Sequence, residues 1–294
     1  MRPVKIITDS CSDLTLELRE QYGIDYVFMN FVIDGKESVA DLDWKEYSAH
    51  DFYDIMRNGK RILTTQVPPE EFRRVFSKYA EEGYDIYYIG CSLKQSSSVN
   101  TGAKVAEEIM EQYPDVRIRC VNSLNASIGE GMLAIRAAEL RDEGLGAEEI
   151  ASRMEPCLNT VNEYCTVHSL DALKRAGRVK ASAAFLGNLF GVKPIIISDK
   201  VGDQTPIKKV KGRQTSIAEI VSLLKDSVIE PEKQWLYVVH ADCPDEAKEV
   251  KAAIEKEIPC LGVRTVYIGP IIGASIGPDA IGVFGFGKEV TFEG

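Results

Sequence analysis

The sequence predicts an α/β protein with an N-terminal parallel-sheet α/β domain, residues 1–162, and a C-terminal α+β domain, residues 163–294. Three observations predict it. Through the first half, short apolar runs alternate with amphipathic stretches of helical length, the rhythm of buried parallel strands covered by helices. After about Glu163 the strand-like segments are less uniformly apolar, and two clear helical stretches remain. At 294 residues, 45% hydrophobic and 27% charged, the chain is long enough to bury a sizeable core in one large or two ordinary domains.

Taken in order, residues 4–8, 84–89 and 116–121 read as buried strands, and 14–22, 43–57, 70–82, 99–112 and 126–143 as helices. Ligands of such sheets sit beyond the carboxyl ends of the strands. The loops after Thr8, Ile89 and Val121 are rich in hydroxyls, with Ser10, Ser12, Ser92, Ser96, Ser97, Ser98 and Ser123 among them. In the second half, 164–168, 193–198, 205–210, 235–240, 263–268 and 281–286 read as strands, and 215–228 and 245–256 as helices. No repeat or low-complexity linker separates the halves, so they are expected to pack closely with a ligand buried in the cleft between them.

Near the C-terminus, residues 269–280 carry glycines at 269, 273 and 277, two prolines, and Ser275 among apolar neighbours. This reads as a tight backbone wall with one polar contact for a ligand.

Charge and cysteine usage narrow the function. The net charge of -10 is spread along the chain, with acids and bases interleaved as in Glu70-Glu71-Phe72-Arg73-Arg74. Without a basic stripe, nucleic acid is not an expected partner. The seven cysteines form no C-x-x-C pair, which suits reduced thiols serving as small core residues in the cytoplasm. An apolar run of about 18 residues, the length of a spanning helix, is absent, as is a signal-peptide core.

Three motifs fall short of their chemistry. Gly282 to Glu289 follows G-x-x-x-x-G-K, but Glu289 stands where a phosphate-binding loop needs Ser or Thr for magnesium. Asp9, at the end of the first strand, suggests a phosphoaspartyl nucleophile, yet Cys11 replaces the second acid, and Asp13 reads as the cap of the helix starting near Leu14. His50, His168 and His240 show no metal-ligand spacing and read as structural, so no metal is expected.

Several segments, in order, resemble the DegV family of bacterial fatty-acid-binding proteins. They are Ile6-Ile7-Thr8-Asp9-Ser10-Cys11-Ser12-Asp13-Leu14, Leu63-Thr64-Thr65-Gln66-Val67-Pro68, Ser92-Leu93-Lys94-Gln95-Ser96-Ser97-Ser98-Val99-Asn100, Leu170-Asp171-Ala172-Leu173-Lys174-Arg175-Ala176-Gly177-Arg178, Phe185-Leu186-Gly187-Asn188-Leu189, Val192-Lys193-Pro194-Ile195, Lys211-Gly212-Arg213, His240-Ala241-Asp242 and the Gly/Pro wall. The resemblance spans essentially the whole chain. It implies two domains enclosing one acyl chain, with its carboxylate held by hydroxyls, no cofactor beyond the bound fatty acid, and no catalysis by the protein alone. The best understood members present the fatty acid to a separate ATP-dependent kinase that phosphorylates the carboxylate.

By that resemblance the head group would meet Thr64, with Thr65 beside it, and Ser96, in the register that aligns Asn100 with the family's asparagine. Ser97 stands where the family has glycine, which raises the question of local backbone shape. Ser275 replaces the family's histidine, so a proton carrier is lost. Lys94 could bring an ammonium to a carboxylate or phosphate. Arg178 and Arg213 match family arginines, although Ala176 and Lys211 depart from the motifs around them, and both are candidates for the pocket mouth or a partner contact. Burying about fifteen methylenes at ~0.8 kcal/mol each gives on the order of 12 kcal/mol gross, against roughly 1.5–3 for each charged hydrogen bond. Acyl burial should therefore dominate affinity, and the altered head-group site should govern selectivity. Two alternatives differ in class: a carrier of another, phosphorylated amphiphile matched to Lys94, and a small-molecule phosphotransferase using Asp9.

Overall fold

The computed structural model describes residues 2–182, 185 and 191–294; the quoted residues 186–189 lie outside that set. The expected parallel sheet forms from β1 (Val4–Asp9), β2 (Asp25–Val27), β6 (Asp85–Gly90) and β7 (Ile118–Asn122) in the order β2-β1-β6-β7, every pair parallel. Ile6, Ile7, Ile86 and Ile89 are fully buried. The central strands β1 and β6 are covered on both faces, which is why they read as nearly continuous apolar runs rather than alternating ones.

Helix α1 (Leu16–Tyr22) begins two residues later than expected, and Thr15 rather than Asp13 is its cap, accepting from the Leu18 amide. The predicted helix over 43–57 shortens to α2 (Ala49–Arg57), capped by Ser48. Ahead of it the Asp41 carboxylate accepts the Asp43 amide, and Trp44 lies at a φ of 55°. Such side-chain-to-backbone bonds compete with helix formation. Between these helices lies a small antiparallel sheet that the sequence reading missed, β3 (Asn30–Ile33), β4 (Lys36–Val39) and, later in the chain, β5 (Leu63–Thr65), in the order β4-β3-β5. Its Asp34-Gly35 turn has positive φ at both residues, as a two-residue hairpin requires.

Helices α3 (Pro69–Glu81), α4 (Ser98–Gln112) and α5 (Ile128–Asp142) follow the expected positions within a few residues, and α6 (Ala147–Met154) is an addition. α5 touches β1 and β6 on one side and β8 (Val161–Thr166) and β13 (Ile281–Phe286) on the other. A helix held between two sheets must be apolar nearly all round, and Ile128, Met132, Leu133, Ala134, Ala137 and Ala138 are buried.

The second sheet runs β10-β9-β8-β13-β11-β12, with β9 (Val192–Ser198), β10 (Gln204–Lys211), β11 (Trp235–His240) and β12 (Gly262–Tyr267). It is antiparallel except for the β11–β12 pair. β8 opens it at Val161, two residues ahead of the expected second half. One face is covered by α8 (Arg213–Ser227) and α9 (Pro244–Glu257) through Ile220, Leu224, Val250 and Ile254. Two short helices, α7 (Asp171–Ala176) and α10 (Pro270–Ile276), pack together beside the cleft. Within the expected wall of residues 269–280, residues Pro270–Ile276 form the helix α10, a regular element that the sequence reading did not name. Pro270 fits the first helical turn, and Gly269 and Gly277 bound it.

Candidate functional site

The carboxyl ends of β1 and β6 are joined by one side chain. Asp9 accepts the Cys11 amide on Oδ1 at 2.9 Å, and on Oδ2 it accepts the Cys91 amide at 3.1 Å and the Tyr88 hydroxyl at 2.8 Å. It is fully buried. Burial raises its pKa, and these three hydrogen bonds oppose the rise. Glu130, on the first turn of α5, accepts from the Thr8 hydroxyl at 2.6 Å. Together these contacts place Cys11 and Cys91 at the floor of a cavity of about 400 Å³ between the two halves, within the size range of ligand sites.

The cavity mouth is made by three pieces of chain. Thr64 and Thr65 come from β5, where Thr64 sits opposite the buried Phe31 of β3. Lys94, Ser96 and Ser97 come from the loop before α4, and Ser275 with Ile271 and Ile272 from α10; Arg178 completes the rim. The structure thus brings together six of the seven expected residues. A second cavity of about 210 Å³, walled by Met56, Ile62, Leu63, Ala172 and Ala274, shares Thr64, Arg178 and Ser275 with the first. The two therefore meet at those three side chains.

The hydroxyls differ in how they are committed. Ser96 Oγ lies 2.8 Å from Ser98 Oγ, and Ser98 Oγ in turn accepts the Val67 amide at 3.1 Å. The buried Ser98, which the sequence reading passed over, thereby ties the serine loop to the Thr64–Val67 segment. Ser275 Oγ makes only a long bond of 3.4 Å to the Ile271 carbonyl. Thr64 Oγ1 has no hydrogen-bond partner among the described residues, leaving it free for a ligand. Ser97 has φ −87°, so the residue that replaces the family's glycine adopts an ordinary backbone.

Charge at the mouth is one-sided. Lys94 and Arg178 line the larger cavity, and Lys60, Arg61, Arg175 and Arg178 the smaller, while neither lining includes Asp or Glu. In a chain of net charge -10 these linings are locally cationic, although Lys60 pairs with Asp34 outside them. Lys94 Nζ stands 3.8 Å from Asp203, which also faces Lys180 at 3.9 Å. Arg178 donates to the Gln95 and Ala176 carbonyls.

Arg213 sits in a salt bridge, the structural alternative to a place at the pocket mouth. It lies outside both cavities, paired with Glu246 through two bonds of 3.0 and 2.8 Å and donating to the Asp279 carbonyl. Asp13 also has another role. Its buried carboxylate accepts the Ser127 hydroxyl and the Gly269 amide, clasping the first half to the start of α10. Burial pushes its pKa up to about 7, against the pull of those bonds. The histidines lie off the site. His50 faces Asp242, which Arg57 also holds, while His240 accepts the Cys243 amide at 3.3 Å and is driven down to about 4 by burial. His168 lies 3.2 Å from the Lys193 ammonium. Among the described residues, no helix is long and apolar enough to cross a membrane.

A model of the DegV family, described as "Uncharacterised protein, DegV family", matches residues 3–288. A DegV domain-containing protein of Clostridium perfringens is 32% identical over 287 residues, covering 98% of each chain. A fatty-acid-binding DegV family protein from Thermus thermophilus superposes with a TM-score of 0.84 at 26% identity, over 98% of this chain and 100% of its own. DegV, a fatty acid binding protein from Bacillus subtilis, does so with a TM-score of 0.86 at 25% identity and the same coverage. The chain belongs to the DegV family.

Proposed function

We propose that this DegV-family protein binds one long-chain fatty acid, or a similar acyl lipid, in the cavity between its halves. Thr64, Thr65, Ser96 and Ser275 then meet the head group, with Lys94 and Arg178 at the mouth. The observation that carries the reading is the free Thr64 hydroxyl where two cavities join, with Lys94 and Arg178 in the linings and the nearby carboxylates of Asp203 and Asp34 outside them. An anionic head fits that rim by charge, and the side chains of Met29, Met56, Ile62, Leu63 and Ile271 offer apolar wall for a chain. The relatives that bind fatty acids support the same class of ligand.

The protein acts on this reading as a carrier without catalysis of its own. Asp9 gives the phosphotransferase alternative no support, because both its oxygens accept hydrogen bonds and it does not line the cavity. Presentation of the carboxylate to a separate kinase is the further step we propose, with Arg178 near the partner. A phosphorylated amphiphile is the second reading, favoured by the several cations at the mouth. All seven cysteines are unpaired, which supports a reducing compartment such as the cytoplasm.

Native mass spectrometry of the purified protein, followed by mass spectrometry of its organic extract, tests the reading. One fatty acid per chain is the expected result, and a phosphorylated lipid would select the second reading. In titrations, Thr64→Ala with Ser96→Ala should weaken binding about tenfold or change lipid preference, since roughly 1–3 kcal/mol of hydrogen bonding to a charged head is lost. Unchanged affinity and preference would remove both residues from the site.

A further inference from the structure

The floor of the cavity holds a cluster that the acyl reading leaves unused. Cys11 Sγ, Cys91 Sγ and a Glu130 carboxylate oxygen lie within 4.8 Å of one another, and all three residues are buried. Met29 Sδ is 3.6 Å from Cys11 Sγ. Glu130 Oε1 takes the Thr8 hydroxyl, whereas the buried Oε2 has no hydrogen-bond partner among the described residues. An orphaned carboxylate oxygen in the interior is costly and calls for a donor or a cation. Asp9, another buried acid, neighbours both Glu130 and Cys11. Asp9 holds the backbone of both cysteines, so the two sulfurs are positioned before anything binds. Both cysteines and Met29 face the cavity, which supplies a path for an ion.

We propose that the cavity floor binds one thiophilic metal ion, Zn2+ or Cu+, through Cys11 Sγ, Cys91 Sγ and Glu130 Oε2. Two thiolates and a carboxylate are a donor set for such ions. Met29 Sδ or a water from the cavity fills the fourth position. Metal–sulfur bonds of about 2.3 Å and metal–oxygen bonds of about 2.0–2.2 Å ask the triangle to contract by roughly an ångström at most. Binding expels the two thiol protons and any proton on Glu130 as the thiolates bond to the ion. The ligands come from three distant parts of the chain, so no spacing in the sequence could announce them, and the expectation of no metal is revised here. This site does not rest on the lipid reading.

Titration of the reduced full-length protein with Co2+, followed by displacement with Zn2+, is the test. The expected result is one Co2+ per chain with a thiolate-to-cobalt absorption band that Zn2+ abolishes. Cys11→Ala and Cys91→Ala should each weaken binding at least tenfold and diminish the band, Glu130→Gln should weaken binding about tenfold, and Cys157→Ala should change nothing. Absence of the band in the unaltered protein, or its survival in Cys11→Ala with Cys91→Ala, would overturn the proposal. If the variants fail to fold, proton release decides: about two to three protons per Zn2+ supports the site, and none overturns it. Lipid content is measured on the same samples, so a protein that carries lipid but no metal, or metal but no lipid, separates the two readings.

Discussion

The two ends of the cavity are built from opposite materials. The floor lies at the carboxyl ends of β1 and β6, where Cys11 and Cys91 line the cavity and, behind them, the buried Asp9 and Glu130 accept from backbone amides and hydroxyls. At the mouth, a three-residue strand, a serine loop and a seven-residue helix present hydroxyls and cations. The floor is therefore buried and closely hydrogen-bonded, and on the proposals above it takes a positive guest, whereas the half-exposed mouth takes a negative one. Stability and selectivity should consequently separate in space.

The largest effect should come from the floor. Asp9→Ala strands two buried amides and the Tyr88 hydroxyl, at about 1–3 kcal/mol each; because it also relieves the burial of a carboxyl, a loss in the lower part of that sum, roughly 3–5 kcal/mol, is expected in denaturant unfolding. Thr64→Ala at the mouth should stay within about 1 kcal/mol in the same measurement. Equal losses would erase the distinction between the two ends.

The clasp between the halves sharpens the comparison through pH. A carboxyl whose folded pKa is raised binds its proton more tightly folded than unfolded, so stability falls as pH rises from about 4 to about 7. Asp13→Asn should flatten part of that fall in Tm measured against pH. The buried Glu163, also pushed up to about 7, contributes with the same sign, so the remaining slope should shrink further in Asp13→Asn with Glu163→Gln. A slope unchanged by both substitutions would show that neither carboxyl titrates as described.

The smallest effect is expected at Ser97→Gly. Its φ is already ordinary and its side chain makes no capping bond, so restoring the family's glycine should shift stability by no more than about 0.5 kcal/mol. A larger gain would mean that the serine strains the mouth.

Strands β1 and β6 were legible because burial on both faces leaves a nearly unbroken apolar run, the edge strand β7 because its apolar residues alternate with Arg117 and Arg119, and the serine loop because it follows β6. The small β3–β4–β5 sheet was not, since three- or four-residue strands offer too few alternations, even though Asp34-Gly35 marked the hairpin. Asp13 read as a cap because its partners, Ser127 and Gly269, lie more than a hundred residues away. The cysteines read as small core residues for the same reason. Their proximity to each other and to Glu130 exists only in three dimensions.

α10 bears on how a guest would leave. Its start is held by Asp13 through the Gly269 amide, the Tyr53 hydroxyl donates to the neighbouring Ile268 carbonyl at 2.6 Å, and a side chain at Gly273 would collide with the Tyr53 ring. That wall is a fixed hinge-side, not a door. On the proposed lipid reading, a bound amphiphile would leave past Lys94 and Arg178, whose exposed contacts break at little cost, and its residence time should then shorten as salt screens that rim.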